Sequence, residues 1–402
     1  MIKPMMAKTI TSKKLTIRYS IHFLLFYSVC AGTSSFAATY LLDKGFQATQ
    51  IGVLLAMSNL LSCFLQPILG DFADRLKSFR LPQIMAGFLI ASFLCYGTIQ
   101  VCNPPLAIFG ILYCAGLLLM SVTISLCNSL CAYYTNHNYP INYGVGTGIG
   151  SLAFSFASLG YGYVIAWFGA DAMLQIALTL TAVLILVVLG YPKLSGDSFV
   201  QQEKTEAKKE ERVSLVEFFG KYKIFTVTMF GVMLLAMCHM MSESYFIAIF
   251  EAIGGGSEDV GIGLFVACIS AAPFYMIFEK MIRKISIYKM MKLSGIFFML
   301  KMFLLLIATQ VWHIYVIELL QIVTYGFVYQ PLYYFAREKV SESDLVKGQS
   351  VAVSLYTLGA ALGSFVGGRT LDAFGVSGLL KTAFVAACVG TIIICTVLRK
   401  EK

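Results

Sequence analysis

The strongest constraint in this chain is a succession of apolar blocks, each roughly 20 residues long, separated by short polar breaks. A helix needs about that length to cross ~30 Å of hydrocarbon at ~1.5 Å per residue. In lipid, every backbone N–H and C=O must find a partner inside the protein, so such blocks read as helices. Membrane strands would show short alternating segments instead. Charged residues make up 13% of the sequence, about half of the ~25% typical of a soluble domain. The expected fold is an all-α membrane protein.

Hydropathy sets spans at about 18–42, 51–70, 82–101, 105–131, 144–168, 172–192, 223–250, 260–279, 287–309, 312–336, 348–371 and 377–398. Twelve spans put both termini on one face, and the basic residues say which. Lys3, Lys8, Lys13, Lys14, Arg18, Arg75, Lys77, Arg80, the middle loop, 280–292, 337–347 and Arg399, Lys400 and Lys402 all fall on one side. Lys44, Arg369 and Lys381 are what the other side keeps. By the positive-inside rule the expectation is N-in and C-in. Trp167 and Trp312 then fall at outer ends, where an aromatic belt would sit. The net charge of +9 is therefore a topology signal, not a nucleic-acid footprint. The eleven cysteines are scattered through apolar spans and read as packing residues.

The polar stretch 193–222 divides six spans from six, so the expected domains are 1–192, a cytoplasmic linker at 193–222, and 223–402. The halves echo each other. Gly160, Gly162 and Phe168-Gly169 in the fifth span parallel Gly359, Gly363, Gly367 and Phe374-Gly375 in the eleventh. Repeats six spans apart are what two related, pseudo-symmetric six-helix bundles would show.

Between the second and third spans lies Gly70-Asp71-Phe72-Ala73-Asp74-Arg75-Leu76-Lys77-Ser78-Phe79-Arg80. This segment resembles the loop motif of the major facilitator superfamily, with Gly70, Ala73, Asp74 and Arg75 matching and Lys77 in place of a usual glycine. Further stretches resemble the oligosaccharide and nucleoside proton symporter group: Gly45-Phe46 with Gln50-Ile51-Gly52, Asn142-Tyr143-Gly144, Gly148-Ile149-Gly150-Ser151, His239, Lys301 and Lys347-Gly348-Gln349. Thr147 stands where that group often has an arginine. The resemblance implies a fold of two six-helix bundles, a cytoplasmic gate at Gly70, Asp74 and Arg75, and uptake of a saccharide, nucleoside or related compound with a proton. Physically, Asp74 could pair with Arg75, Arg80 or the positive end of a neighbouring helix.

An ionisable side chain at mid-bilayer costs roughly 2.5–3.5 kcal/mol on the insertion scale, so those that remain call for a partner or a purpose. His239 and Glu243 are four apart in the seventh span and share a helix face. Lys301 lies near the middle of the ninth span and Glu318 in the outer half of the tenth. Glu318, Gln321, Tyr325 and Tyr329 are spaced three, four and four, which forms one stripe on an unbroken helix. Asn59 and Gln66, with Ser62, form another polar row, as do Ser121, Ser125 and Asn128, and Ser350, Ser354 and Thr357. Such rows either line a wet cavity or return their hydroxyls to the backbone. For Lys301 the alternatives are a structural ion pair with Glu243 or Glu318, or a part in moving protons.

These residues lead to a secondary active transporter working by alternating access. Glu243, Glu318, Lys301 and His239 would form a proton-coupling network, and Gln321, Tyr325, Tyr329, Asn128, Asn59 and Gln66 would contact a small polar solute. Proton-coupled efflux of amphipathic compounds is the second reading, and a solute sensor that signals without transport is a third. The sequence has no His-Glu-x-x-His, nucleophile elbow or phosphate-cradling loop, so neither an enzyme nor direct ATP drive is expected. The expected partners are the solute, protons and the lipid bilayer, with no cofactor, metal or nucleic acid. The expected setting is a functional monomer in the inner membrane of a bacterium.

Overall fold

A computed structural model of the protein describes residues 12–75, 80–193 and 215–399, and among these every regular element is helical. The helices are α1 (Ser12–Cys30), α2 (Ala37–Asp43), α3 (Ala48–Arg75), α4 (Leu81–Cys102), α5 (Leu106–Asn136), α6 (Tyr143–Phe168), α7 (Ala170–Leu189) and α8 (Leu215–Lys221). They continue as α9 (Lys223–Ser244), α10 (Phe246–Glu251), α11 (Ser257–Met281), α12 (Ile287–Ile307), α13 (Val311–Glu318), α14 (Tyr325–Tyr329), α15 (Pro331–Lys339) and α16 (Leu345–Val397). Among the described residues, nine helices are long and apolar enough to cross a membrane, or ten when the bent pair α1 and α2 is taken as one span. Leu94, Ile111, Leu186 and Ile392 are exposed on these helices, an apolar exterior suited to lipid.

Several expected spans are broken, and the breaks have physical causes. A π-helical turn at Ala31–Ser35 and a bend of 49° separate α1 from α2. The Thr33 carbonyl there accepts a bond from the Tyr113 hydroxyl at 2.7 Å, so the irregular backbone stays paired. The tenth span was expected as one helix but divides into α13, a 3-10 turn at Leu319–Ile322, α14 and α15. Thr324 leaves helical geometry at φ −84°, ψ −82°, and its carbonyl accepts the Ser294 hydroxyl at 2.6 Å. Pro331, lacking an N–H, opens α15. The eleventh and twelfth expected spans run together as α16, interrupted at Gly375, whose φ of +66° only glycine adopts without strain.

The chain forms two compact units. The first comprises Met1–Ser34, Phe64–Ala157 and Asp171–Gln202, and the second Ser35–Cys63, Ser158–Ala170 and Glu203–Lys402. The first unit's core gathers Tyr19, Phe23, Phe26, Met85, Cys127 and Leu184. In the second, α9 and α16 approach so closely that a Cβ on Gly359 or Gly363 would strike the Met233 or Met237 carbonyl. Small residues at a helix contact allow this backbone approach. At one end of the second unit, Lys221 donates to Asp344 at 2.8 Å, which pushes its ammonium above its ordinary pKa and anchors α8.

Candidate functional site: a buried charge cluster

Lys301 points into the second unit because it shares one face of α12 with Ser294, Phe298 and Leu305, all buried. Its side chain is fully enclosed. The ammonium donates to Glu318 Oε2 at 2.8 Å and to Gln321 Oε1 at 3.0 Å. Glu243 Oε1 stands 3.9 Å away on α9, and His239 Nδ1 lies 3.9 Å from that same oxygen. All four expected charged or titratable side chains are thus brought together. Glu318 and Gln321 reach Lys301 despite the break in their helix, because the 3-10 turn still leaves them about one turn apart.

The two carboxylates are not equivalent. Glu318 is 1% exposed and directly bonded, whereas Glu243 is 20% exposed and lies beyond hydrogen-bond distance of either neighbour. Two carboxylates and one ammonium sum to one net negative charge, and a single added proton makes the group neutral. Unit charges ~4 Å apart interact by about 4 kcal/mol at an effective dielectric of ~20, so the state of Glu243 is felt by Lys301. His239 Nδ1 is buried without a hydrogen-bond partner among the described residues.

Beside the charges stands an aromatic wall. Tyr325 and Tyr329 stack with centroids 5.2 Å apart and planes 10° apart. His239 leans on Tyr325 at 5.3 Å. Tyr356 of α16 meets Tyr329 edge-on at 5.2 Å. Tyr356 was not singled out from the sequence, since a stripe rule ranks residues within one helix and is blind to a ring arriving from another. Phe298, 5.9 Å from His239, escaped for the same reason.

Other expected residues fare differently. Asn59 is half-buried on α3, and among the described residues none of the cluster's bonds reaches it. The α3 backbone runs through Gln66 and Gly70 to Asp74 and Arg75, but those side chains, like that of Asn128 and the 194–214 linker, lie outside the described residues. Ser125 and Ser350 return their hydroxyls to carbonyls of their own helices at 2.8 and 2.9 Å, the backbone-bonded alternative. His22, which no motif or stripe marks, is fully buried in the first unit. Its Nε2 lies 3.4 Å from Cys127 Sγ and its Nδ1 3.4 Å from the Tyr191 hydroxyl. Its place four residues inside the first expected span was the available signal. Among the described residues no three His, Cys, Asp or Glu side chains are placed to hold a metal ion.

A multi-pass helical membrane protein with buried charges fits a transporter, and similarity to known proteins decides the class. The profile described as "MFS_1 like family" matches residues 16–381. The chain belongs to this family and is a major facilitator superfamily transporter, not an enzyme. It is 22% identical over 392 residues to the maltose permease of Geobacillus stearothermophilus, covering 95% of this chain and 94% of that one. An uncharacterized transporter of Bacillus subtilis (strain 168), YwbF, is 21% identical over 355 residues, 82% of this chain and 80% of the other. The fold is similar to the crystal structure of the nucleoside transporter NupG, with a TM-score of 0.80 at 15% identity, covering 96% of this chain and 99% of that one. It is also similar to a bacterial homolog of the human lysosomal transporter Spinster in an inward-facing, occupied conformation. There the TM-score is 0.68 at 12% identity, over 96% and 97% of the chains.

Proposed function

We propose that this chain carries a small polar solute, a saccharide or nucleoside, across a bacterial inner membrane by alternating access in symport with protons. In this reading the chain has twelve spans with both termini cytoplasmic. The break at Gly375 allows α16 to supply two of them, and α11, at 25 residues, is long enough for another. The halves 1–192 and 223–402, joined by 193–222, are the two bundles that would rock about the site. The names of the maltose permease and of NupG favour the two solute classes.

The observation that carries the proposal is the shared ammonium: Lys301 is bonded to Glu318 while Glu243, half-buried and unbonded, stands 3.9 Å off. Glu243 is the proton carrier in this reading, since it alone of the two carboxylates combines partial access with a free hydrogen-bonding capacity among the described residues. Glu318 holds Lys301 in place. The stacked tyrosines offer ring faces, and Gln321 and His239 offer polar atoms, to a neutral ring-shaped solute. Asn59, Gln66 and Asn128 would add contacts from the N-terminal half, with Gly70, Asp74 and Arg75 as a gate on the cytoplasmic side.

The test is uptake of labelled maltose and uridine into proteoliposomes under an imposed ΔpH. Glu243→Gln should lower accumulation at least tenfold while leaving solute exchange without a gradient within about twofold. Accumulation equal to the parent's would remove Glu243 from coupling, and no accumulation of either solute by the parent would overturn the solute class.

A further inference from the structure

A second set of contacts within the larger unit lies at the α9 end next to Glu243, and the charge cluster does not use it. Helix α9 loses helical geometry at Tyr245, at φ −120° and ψ 30°, two residues beyond Glu243. The Tyr245 ring is fully buried, and its hydroxyl donates to the Ser364 carbonyl at 2.7 Å, with the Ala48 carbonyl at 3.1 Å. The neighbouring Ser244 hydroxyl meets that of Ser364 at 2.9 Å. One and two turns further along α16, Gly368 and Asp372 reach the start of α3. The Asp372 carboxylate accepts the Ala48 N–H at 3.1 Å and the Thr49 N–H at 2.7 Å.

Three elements therefore meet at the first turn of α3. Asp372 binds two backbone N–H groups that no helical carbonyl can satisfy. Tyr245 binds the Ala48 carbonyl on the same turn. The fit is tight: a Cβ on Gly368 would strike the Ala48 carbonyl, and one on Gly52 would lie 2.8 Å from the Tyr245 hydroxyl. Hydrogen bonds of Asp372 and Tyr245 with Ala48 and Thr49 tie α16 and α9 to α3 at this seam, where glycines let the backbones approach closely.

We infer that Asp372 and Tyr245 are positioning residues of a latch that closes one end of the solute path, and that α9 links this latch to the state of Glu243. A change at Glu243 moves the end of α9, and the Tyr245 hydroxyl moves with it, loosening or tightening its hold on Ala48. The inference rests on the transporter reading above for its meaning, and on the N-in orientation for the face, which makes this the outer end.

The test is the distance between spin labels at Gln47→Cys and Lys381→Cys in a full-length chain whose native cysteines are replaced. Asp372→Asn should raise the longer-distance share several-fold, and Tyr245→Phe should raise it less. Glu243→Gln should shift the distribution when Tyr245 is present and leave it unchanged in the Tyr245→Phe background. That loss of effect marks coupling through Tyr245, which mere loosening of the fold would not produce. Melting midpoints within about 3 °C of the parent certify the variants as folded. Distributions identical to the parent's in folded Asp372→Asn and Tyr245→Phe would overturn the latch. The readout needs no solute, so failed uptake of maltose and uridine sinks the solute class and leaves the latch standing. Labelling of Gln47→Cys in intact cells by an impermeant maleimide confirms the outer face, and lack of labelling assigns the latch to the opposite face.

Discussion

Each compact unit buries a histidine, and the two surroundings could hardly differ more in charge. In the first unit His22 sits among Cys127, Tyr191, Tyr19 and Phe23, neutral groups at long range. In the second, His239 faces Glu243 and through it Lys301 and Glu318. Among the described residues, His22 is the one buried titratable side chain of the first unit that belongs to the charged types, whereas the second buries Lys301 and Glu318 outright. A buried ion pair contributes little to net stability because desolvation offsets the attraction. Among the described residues only the second unit buries an ion pair outright, so the two interiors differ in what a loss of charge would cost. The first unit's core is built on aromatic and thiol packing.

The comparison breaks most visibly at Lys301. Replacing it with Met keeps the volume but leaves Glu318 buried with no cation, which should cost about 3–5 kcal/mol and abolish uptake. Lys301→Met with Glu318→Gln should recover most of that stability and none of the coupling. Melting midpoints and ΔpH-driven accumulation are the two measurements. A single Lys301→Met variant as stable as the parent would mean that the second interior depends on charge no more than the first.

Rarity made this cluster legible. Lys301, Glu318, Glu243 and His239 stood out because ionisable groups in apolar spans are costly, and spacing alone put Tyr325 and Tyr329 side by side. Spacing failed where the helix did: the stripe rule assumes an unbroken 3.6-residue period, and Val323–Thr324 interrupts it. Tyr356 and Phe298 come from other helices, so no pattern along one segment could pair them with His239. The Asp372 bond to Ala48 joins residues 324 apart, and nothing local to either signals it. His22 was legible by the same rarity argument and was overlooked near its span's edge. The basic-residue asymmetry spoke to orientation, which packing by itself does not encode.

His22 sharpens the contrast from the other side. Its contact with the Tyr191 hydroxyl at 3.4 Å is long for a hydrogen bond. Its contact with Cys127 Sγ at 3.4 Å is to a weak sulfur partner, and a neutral bond nets about 1 kcal/mol. His22→Phe should therefore lower stability by about 1–2 kcal/mol and leave the pH dependence of uptake unchanged. His239→Phe, by contrast, should alter that dependence, because its neighbour is a carboxylate. Uptake measured across external pH 5.5–8 for the two variants, read against the parent, separates them. An equal distortion of both profiles would make the neutral unit a participant in coupling.

The smallest effects belong at the serines, where the two units should behave alike. Ser125 and Ser350 each give their hydroxyl to a carbonyl three or four residues back on their own helix. Such bonds satisfy the hydroxyl locally and slightly weaken the helix that hosts them. Removing the hydroxyl leaves the carbonyl with its second lone pair unused and the helix ladder intact. Ser125→Ala and Ser350→Ala should each change stability by less than about 0.5 kcal/mol, the range of substitutions that break no network, with solute KM within about twofold of the parent. A KM rise at Ser350 but not Ser125 would show that the α16 row turns toward the solute beside Tyr356, and would enlarge the site on the charged side of the comparison. A rise at Ser125 would instead bring the neutral unit into solute recognition, through the row it shares with Asn128.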